Sequence, residues 1–211
     1  MVYKVQDIVR DVRIAIDENR TSEQLITDGD VDTLSLREVI ESKVEEAVRR
    51  VETAAPVHLL DGGRPFGDAV FWRGGGTGWI LLPEDFMRLI IFKMSDWERA
   101  VYEPITAADA RYQLQFSRYK GLRGNPQNPV VAIVSRAEGR ALELFSCKDD
   151  TATVEQAVYI ALPRIDSDGG IEIAERCHKA VIYEAAALTL ATLGEREQAI
   201  TMSDLSKRLL I

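Results

Sequence analysis

Three stretches of the 211-residue chain hold residue types whose spacing could do chemistry. Arg73-Gly74-Gly75-Gly76-Thr77-Gly78 offers backbone N–H groups of the kind that cradle phosphate. A phosphate loop also needs a following Lys-Ser/Thr and a helix N-terminus behind it, because amides and helix dipole hold the anion together. Neither follows here. Trp79-Ile80-Leu81-Leu82 has the pattern of a strand, so the glycines read as a hairpin loop. Cys177-His178 offers a thiol beside an imidazole. Adjacent residues on a helix point about 100° apart and do not pair. His58 is distant in sequence, and no Asp or Asn stands in an orienting motif. The pair reads as a packing cysteine and a surface histidine. Asp28-Gly29-Asp30-Val31-Asp32 has the alternating acids of a calcium loop but neither its twelve-residue spacing nor its terminal Glu. Asp149-Asp150 and Asp166-Ser167-Asp168-Gly169-Gly170 read as turns. The expectation is no catalytic residue, no cofactor and no metal, and a protein that is not an enzyme.

One basic stretch carries an aromatic among its charges. In Arg118-Tyr119-Lys120-Gly121-Leu122-Arg123-Gly124-Asn125-Pro126, the residues Arg118, Tyr119, Lys120 and Arg123 form a candidate exposed partner loop. The chain as a whole opposes a phosphate partner. It has 26 basic and 34 acidic residues, a net charge of −8. That balance argues against a sequence-independent grip on nucleic acid and against anionic membrane surfaces. Cys147 and Cys177 are too few for a disulfide framework or a four-cysteine zinc site. With no signal peptide, a reducing compartment is expected. The longest apolar run, Val181 to Leu193, is interrupted by Glu184 and is too short to span a bilayer.

The elements that must position these residues follow from periodicity. Val5, Ile8, Val9, Val12 and Ile16 give one apolar helical stripe, and a polar link runs from Glu18 to Asp32. Ser35-Leu36-Arg37-Glu38 is a capping box, followed at helical spacing by Val39, Ile40, Val44, Ala47, Val48 and Val51. Pro56 should end that helix. Short β-like runs then occupy Ala69–Trp72, Trp79–Leu82, Phe86–Met94, Val130–Ser135, Arg140–Phe145 and Gln156–Leu162, with a hairpin turn at Ala137-Glu138-Gly139-Arg140. Thr106 to Asp109 resembles a cap for a short helix reaching about Gln115. A long helix is predicted from Ile171 to about Leu193, then a final amphipathic piece. The predicted fold class is α+β: a helical bundle of two N-terminal helices and a long C-terminal helix, with an inserted small antiparallel β region. It is read as a single domain, 1–211. Helices lie at about 3–55 and 171–193, the β insertion at about 57–163 and a C-terminal docking segment at about 195–211.

This order resembles the head-to-tail adaptor proteins of short-tailed bacteriophages, the tail tubular protein A type. Four pieces carry the resemblance. They are Val5-Gln6-Asp7-Ile8-Val9-Arg10-Asp11-Val12-Arg13 with the capped helix from Ser35; Leu82-Pro83-Glu84-Asp85-Phe86-Met87-Arg88-Leu89, similar to the family's Leu-Pro-x-Asp-Phe lead into a strand; Asn128-Pro129 and the strands after it, through Tyr159-Ile160-Ala161-Leu162-Pro163; and the alanine-rich helix from Cys177-His178-Lys179-Ala180 to Leu193-Gly194-Glu195. The resemblance implies a virion structural protein, made in the host bacterial cytoplasm. It implies a ring, usually of twelve copies, between the portal protein and a tail or nozzle protein. DNA is only passing cargo, and no membrane is involved.

Within that expectation, Glu41, Glu45, Arg49 and Arg50 are candidate subunit contacts, since a ring needs two complementary faces. Leu205, Leu209, Leu210 and Ile211 are candidate portal-docking residues on a segment able to order on docking. An acidic lumen would let DNA slide rather than bind. The alternatives are another phage neck or tail-completion protein, a hydrolase using paired carboxylates, or an interaction module unrelated to phage.

Overall fold

A computed structural model of the chain describes residues 1–18, 35–60 and 62–211. The acidic run Asp28 to Asp32, and the link around it from residue 19, lie outside the described residues. The chain begins with β1 (Val2–Lys4), α1 (Val5–Glu18) and α2 (Leu36–Ala54). Next come β2 (Arg64–Pro65), β3 (Phe71–Gly74), β4 (Thr77–Leu81), β5 (Phe86–Met94) and β6 (Ile105–Thr106). A short α3 (Ala110–Leu114) leads to β7 (Val131–Arg136), β8 (Gly139–Leu144) and β9 (Val154–Ala161). The chain closes with β10 (Gly170–Glu172), α4 (His178–Thr192) and α5 (Arg196–Arg208). It divides into two compact units, residues 1–62 with 163–211, and residues 63–162.

The first unit is mainly helical. Val5, Ile8, Val9, Val12 and Ile16 are all buried, so the stripe of α1 is its packing face. At the start of α2 the Ser35 hydroxyl accepts from the Glu38 N–H at 3.3 Å, and the Glu38 carboxylate accepts from the Ser35 N–H at 2.8 Å. Those Ser35 hydrogen bonds hold the Glu38 carboxyl below its ordinary pKa. Helix α4 packs against α1, α2 and α5. Ala180, Ala185, Ala186 and Ala187 are buried on it, and their small side chains admit three neighbours. Its end is a Schellman turn. Gly194 has φ +88°, its N–H donates to Ala191, and the Glu195 N–H donates to Leu190 at 2.9 Å. The turn lets α5 pack back on α4, burying Ala199 and Met202, with the Ser206 hydroxyl donating to the Ala180 carbonyl at 2.9 Å.

The long helix predicted from Ile171 starts only at His178. Ile171 instead lies in β10, opposite Tyr3 of β1, and the Ile173 N–H donates to the Met1 carbonyl at 2.8 Å. The buried Ile171 and Ile173 keep strand alternation because three N-terminal residues supply the backbone partners. The C-terminal segment, expected to order on docking, is the packed helix α5. Glu52 is buried on α2 and accepts from the Ala174 N–H at 3.0 Å. Burial pushes its carboxyl above the ordinary 4.5, more than that hydrogen bond lowers it.

The second unit has its own core. β9 lies between β2 and β5 in an antiparallel three-stranded sheet, and the other sheet runs β3-β4-β8-β7-β6, with β6 parallel to β7. Phe86, Leu89, Phe92 and Met94 of β5 share one core with Ile80, Leu142 and Leu144 of the second sheet. The fold class read from sequence is thereby corrected. The described residues form five α-helices and ten strands in three sheets, the largest a mixed sheet of five. This is not a helical bundle with a small antiparallel insertion. The missed strands β1, β2, β6 and β10 have two or three residues each, too few for alternation to show, and the parallel β6–β7 pairing leaves no turn signal.

The Gly74–Gly76 run is the β3–β4 turn, with Gly74 opposite Thr77. Gly75 and Gly76 both have positive φ, the signature of a type I′ hairpin. A Cβ on Gly76 would lie 2.0 Å from the Cys147 carbonyl oxygen. The Gly76 N–H donates to the Asp150 carboxylate at 2.8 Å, so this amide is spent inside the fold.

Two predictions follow from the helical unit. Met202→Ala should cost about 2–4 kcal/mol, read as a lower urea midpoint. Glu52 holds its proton more tightly folded than unfolded, so its contribution is full below pH 4.5 and is lost as pH rises through the raised folded value. Glu52→Gln should therefore gain stability relative to the native chain between pH 4.5 and neutrality, measured by urea unfolding at both ends.

Candidate functional site

The outer face of the five-stranded sheet gathers the side chains with the most chemistry. Register places Trp79 and Ala132 opposite Glu143 on the strands either side of β8, and Phe71 opposite Trp79. Strand alternation puts these residues on the face away from Leu142 and Leu144. Glu143 is only 3% exposed. Its Oε1 accepts from Arg73 at 2.9 Å and from Arg136, and its Oε2 accepts from the Tyr112 hydroxyl at 2.8 Å. Burial, with that bond to the carboxylate, raises the Tyr112 pKa. Both guanidiniums also attend Trp79, Arg136 at 4.2 Å and Arg73 at 5.3 Å from the ring centre. Phe71 stacks on the same indole at 5.6 Å. With both oxygens engaged by three donors, Glu143 is a structural anchor and offers no ready base.

Tyr112 connects this cluster to the basic loop. Phe116 meets Tyr112 edge-on at 5.2 Å and Phe145 at 5.6 Å. Gln115 is buried. Its amide donates to the Arg111 carbonyl at 2.9 Å, and its carbonyl accepts from the Gly124 N–H at 2.8 Å. The Arg123 Nε donates to the Ser117 carbonyl. Arg118 lies 4.8 Å over the Tyr119 ring and donates to its hydroxyl at 2.7 Å. Arg118, Tyr119 and Lys120 are exposed, while Arg123 is half-buried. The cap of α3 is Asp109, which accepts from the Arg111 N–H at 2.8 Å, and not Thr106.

The other candidate residues are dispersed. Glu41 accepts from Arg37 at 2.8 Å, and Glu45 accepts from the Ile165 N–H at 2.8 Å. Arg49 and Arg50 both donate to Glu46, and Arg50 also reaches Glu184 at 3.5 Å. Of the C-terminal residues, Leu210 is buried, Leu205 half-buried, Leu209 exposed, and Ile211 98% exposed.

The structure keeps Cys177 and His178 in separate surroundings. The Cys177 thiol is buried and donates to the Leu59 carbonyl at 3.7 Å. His178 is half-buried and stacks on Tyr3 at 4.1 Å with 13° between the rings. Burial lowers its pKa against the opposing pull of Asp11. Cys147 is a buried thiol pushed up to about 12, first by burial and then by Asp96, which keeps it a poor nucleophile. Among the described residues, no group of three or more His, Cys, Asp and Glu is placed to hold a metal ion, and no helix is long and apolar enough to cross a membrane.

Sequence reasoning missed Glu143. Alternation in Arg140-Ala141-Leu142-Glu143-Leu144-Phe145 gives it the ordinary outward place of a polar residue, yet α3 and its loop cover that face. It also missed Leu114, Phe116 and Leu122, whose exposure depends on tertiary packing. No protein-family model matches the chain, and no curated protein matches it significantly.

Removing Glu143 leaves Arg136 facing a buried site without its counter-charge. Glu143→Ala should cost about 3 kcal/mol, and Trp79 fluorescence should report loosened packing at its ring. Unchanged stability would remove the anchor role.

Proposed function

We propose that the chain is a virion structural subunit of the head-to-tail adaptor kind. In this reading it forms a ring between portal and tail through which DNA passes. The observation that carries it is the inserted organisation. Helices α1 and α2 come first, residues 63–162 form a complete β unit, and α4 and α5 return to close the helical unit. That order supports the resemblance drawn from the four sequence pieces. The Leu82-Pro83-x-Asp85-Phe86 piece has a clear local role. The Phe86 N–H donates to the Pro83 carbonyl at 3.0 Å, while Asp85 accepts from the Tyr159 hydroxyl at 2.8 Å and from Arg64 at 2.9 Å. This corner sets the start of β5, and Phe86 stacks on Tyr159 at 5.5 Å.

A ring subunit needs two rigid faces that are complementary to each other. The charged residues first considered on α2 all bond within the subunit, so α2 is a weaker choice for the ring contact. Portal docking through the C-terminal segment falls to the exposed Leu209 and Ile211, since Leu210 packs inside its own unit. The acid excess suits a conduit, because a lining of like charge does not retain phosphate. Quantitative mass spectrometry of purified particles should give this protein and the portal in equal copy number. Absence from particles would remove the adaptor reading.

A further inference from the structure

Residues 110–130 contain Arg111, Arg118, Lys120 and Arg123 and no acidic residue. Arg111 is paired with Asp109 at 2.8 Å, so the 114–123 loop carries +3 in a chain of net −8, which leaves −11 on the remainder. In the same stretch Leu114 is 42% exposed, Phe116 52%, Tyr119 59% and Leu122 52%. Four large apolar side chains open to solvent within nine residues form the kind of surface that marks an interaction site. The loop carrying them is held in place. Gln115 ties its start to Gly124, Arg123 ties its end to Ser117, and Phe116 rests on Phe145 and Tyr112. A surface already ordered loses little conformational entropy when a partner arrives.

We propose that the 114–123 loop is a self-association face that docks on the acidic surface of a second copy of this chain. Charge complementarity selects the occupant. A phosphate surface, whether duplex DNA or an anionic bilayer, would be drawn to Arg118, Lys120 and Arg123 of the loop but repelled by the excess acids on the rest of the molecule. A second copy offers those acids as the attracting charge, and its mixed surface accepts the aromatic side chains. Glu84, Glu98 and Glu138, all exposed on the β unit, are among the carboxylates such a copy presents. Arg118 over the Tyr119 ring places charge and aromatic area side by side, the pairing favoured at the centre of interfaces. The choice of occupant rests on the assembly reading above, and the face itself rests on the loop.

The test is sedimentation of the full chain at about 50 and about 500 mM salt, where the Debye length falls severalfold. It is paired with a photo-crosslinking amino acid in place of Phe116. The native chain should self-associate, more weakly at high salt, and the crosslinker should capture a second copy. Tyr119→Ser with Leu122→Ser, and separately Arg118→Glu with Lys120→Glu, should each weaken association about tenfold with an unchanged thermal midpoint. The charge-reversal pair keeps the test open if the first variant fails to fold. A monomer under all conditions with no crosslinked copy overturns the proposal, as does association unchanged in the variants. Loop-dependent binding to phosphatidylglycerol vesicles or to duplex DNA in place of self-association also overturns it. Self-association in a protein absent from particles would remove the adaptor reading alone. Equal copy number with portal but no self-association would remove this face alone.

Discussion

A carboxylate placed in a sheet interior is tolerated only when its charge and its acceptor sites are both answered. Glu143 imposes that condition on the β unit. Arg73 must come from β3, Arg136 from β7 and the Tyr112 hydroxyl from α3, so three separate elements converge on one side chain of β8. The condition reaches further through Tyr112, whose ring supports Phe116 and hence the exposed loop. The same arginines lie against Trp79, which makes the indole part of the anchor and not a free stacking platform. The inner face of the sheet is ordinary apolar packing. The specificity of the outer face comes from charge.

The helical unit is organised on the opposite principle. Helix α4 has little polar identity, and its alanines allow α1, α2 and α5 to approach it. Its buried polar groups are answered from its own backbone and from α2. Thr189 donates to Ala185 at 2.8 Å, and Glu184 meets Arg50 at 3.5 Å. On α2 the buried Glu52 carboxyl accepts from the Ala174 N–H, and burial raises its pKa.

Local signals in the sequence carried local structure. Ser35 and Glu38 marked the start of α2 because both halves of a capping box lie within four residues. Several of the six longer strands showed alternation, and Ala137-Glu138 is indeed the turn between β7 and β8. Pairing between distant segments was hidden. Nothing in Val2-Tyr3-Lys4 announces that Ile171 will lie opposite Tyr3, so the stretch before α4 looked like more helix. The balance of helix and sheet was misjudged for the same reason. Of the candidate residues, Arg118, Tyr119 and Lys120 stand together in the sequence and are exposed. Glu143 was not, because its importance depends on what covers it. The α2 charges looked available because Glu46, Ile165 and Glu184, which engage them, lie on the same helix or more than a hundred residues away.

The insertion of residues 63–162 also fixes an order in time. Every strand pairing of the β unit lies inside that stretch, so the unit can complete as soon as Leu162 has left the ribosome. Helices α1 and α2 are made first, yet their apolar stripes find α4 only after a further hundred and more residues have been synthesised. β1 waits equally long for β10. The nascent chain therefore carries α1 and α2 without their shared partner α4, and β1 without its paired strand, throughout synthesis of its β unit.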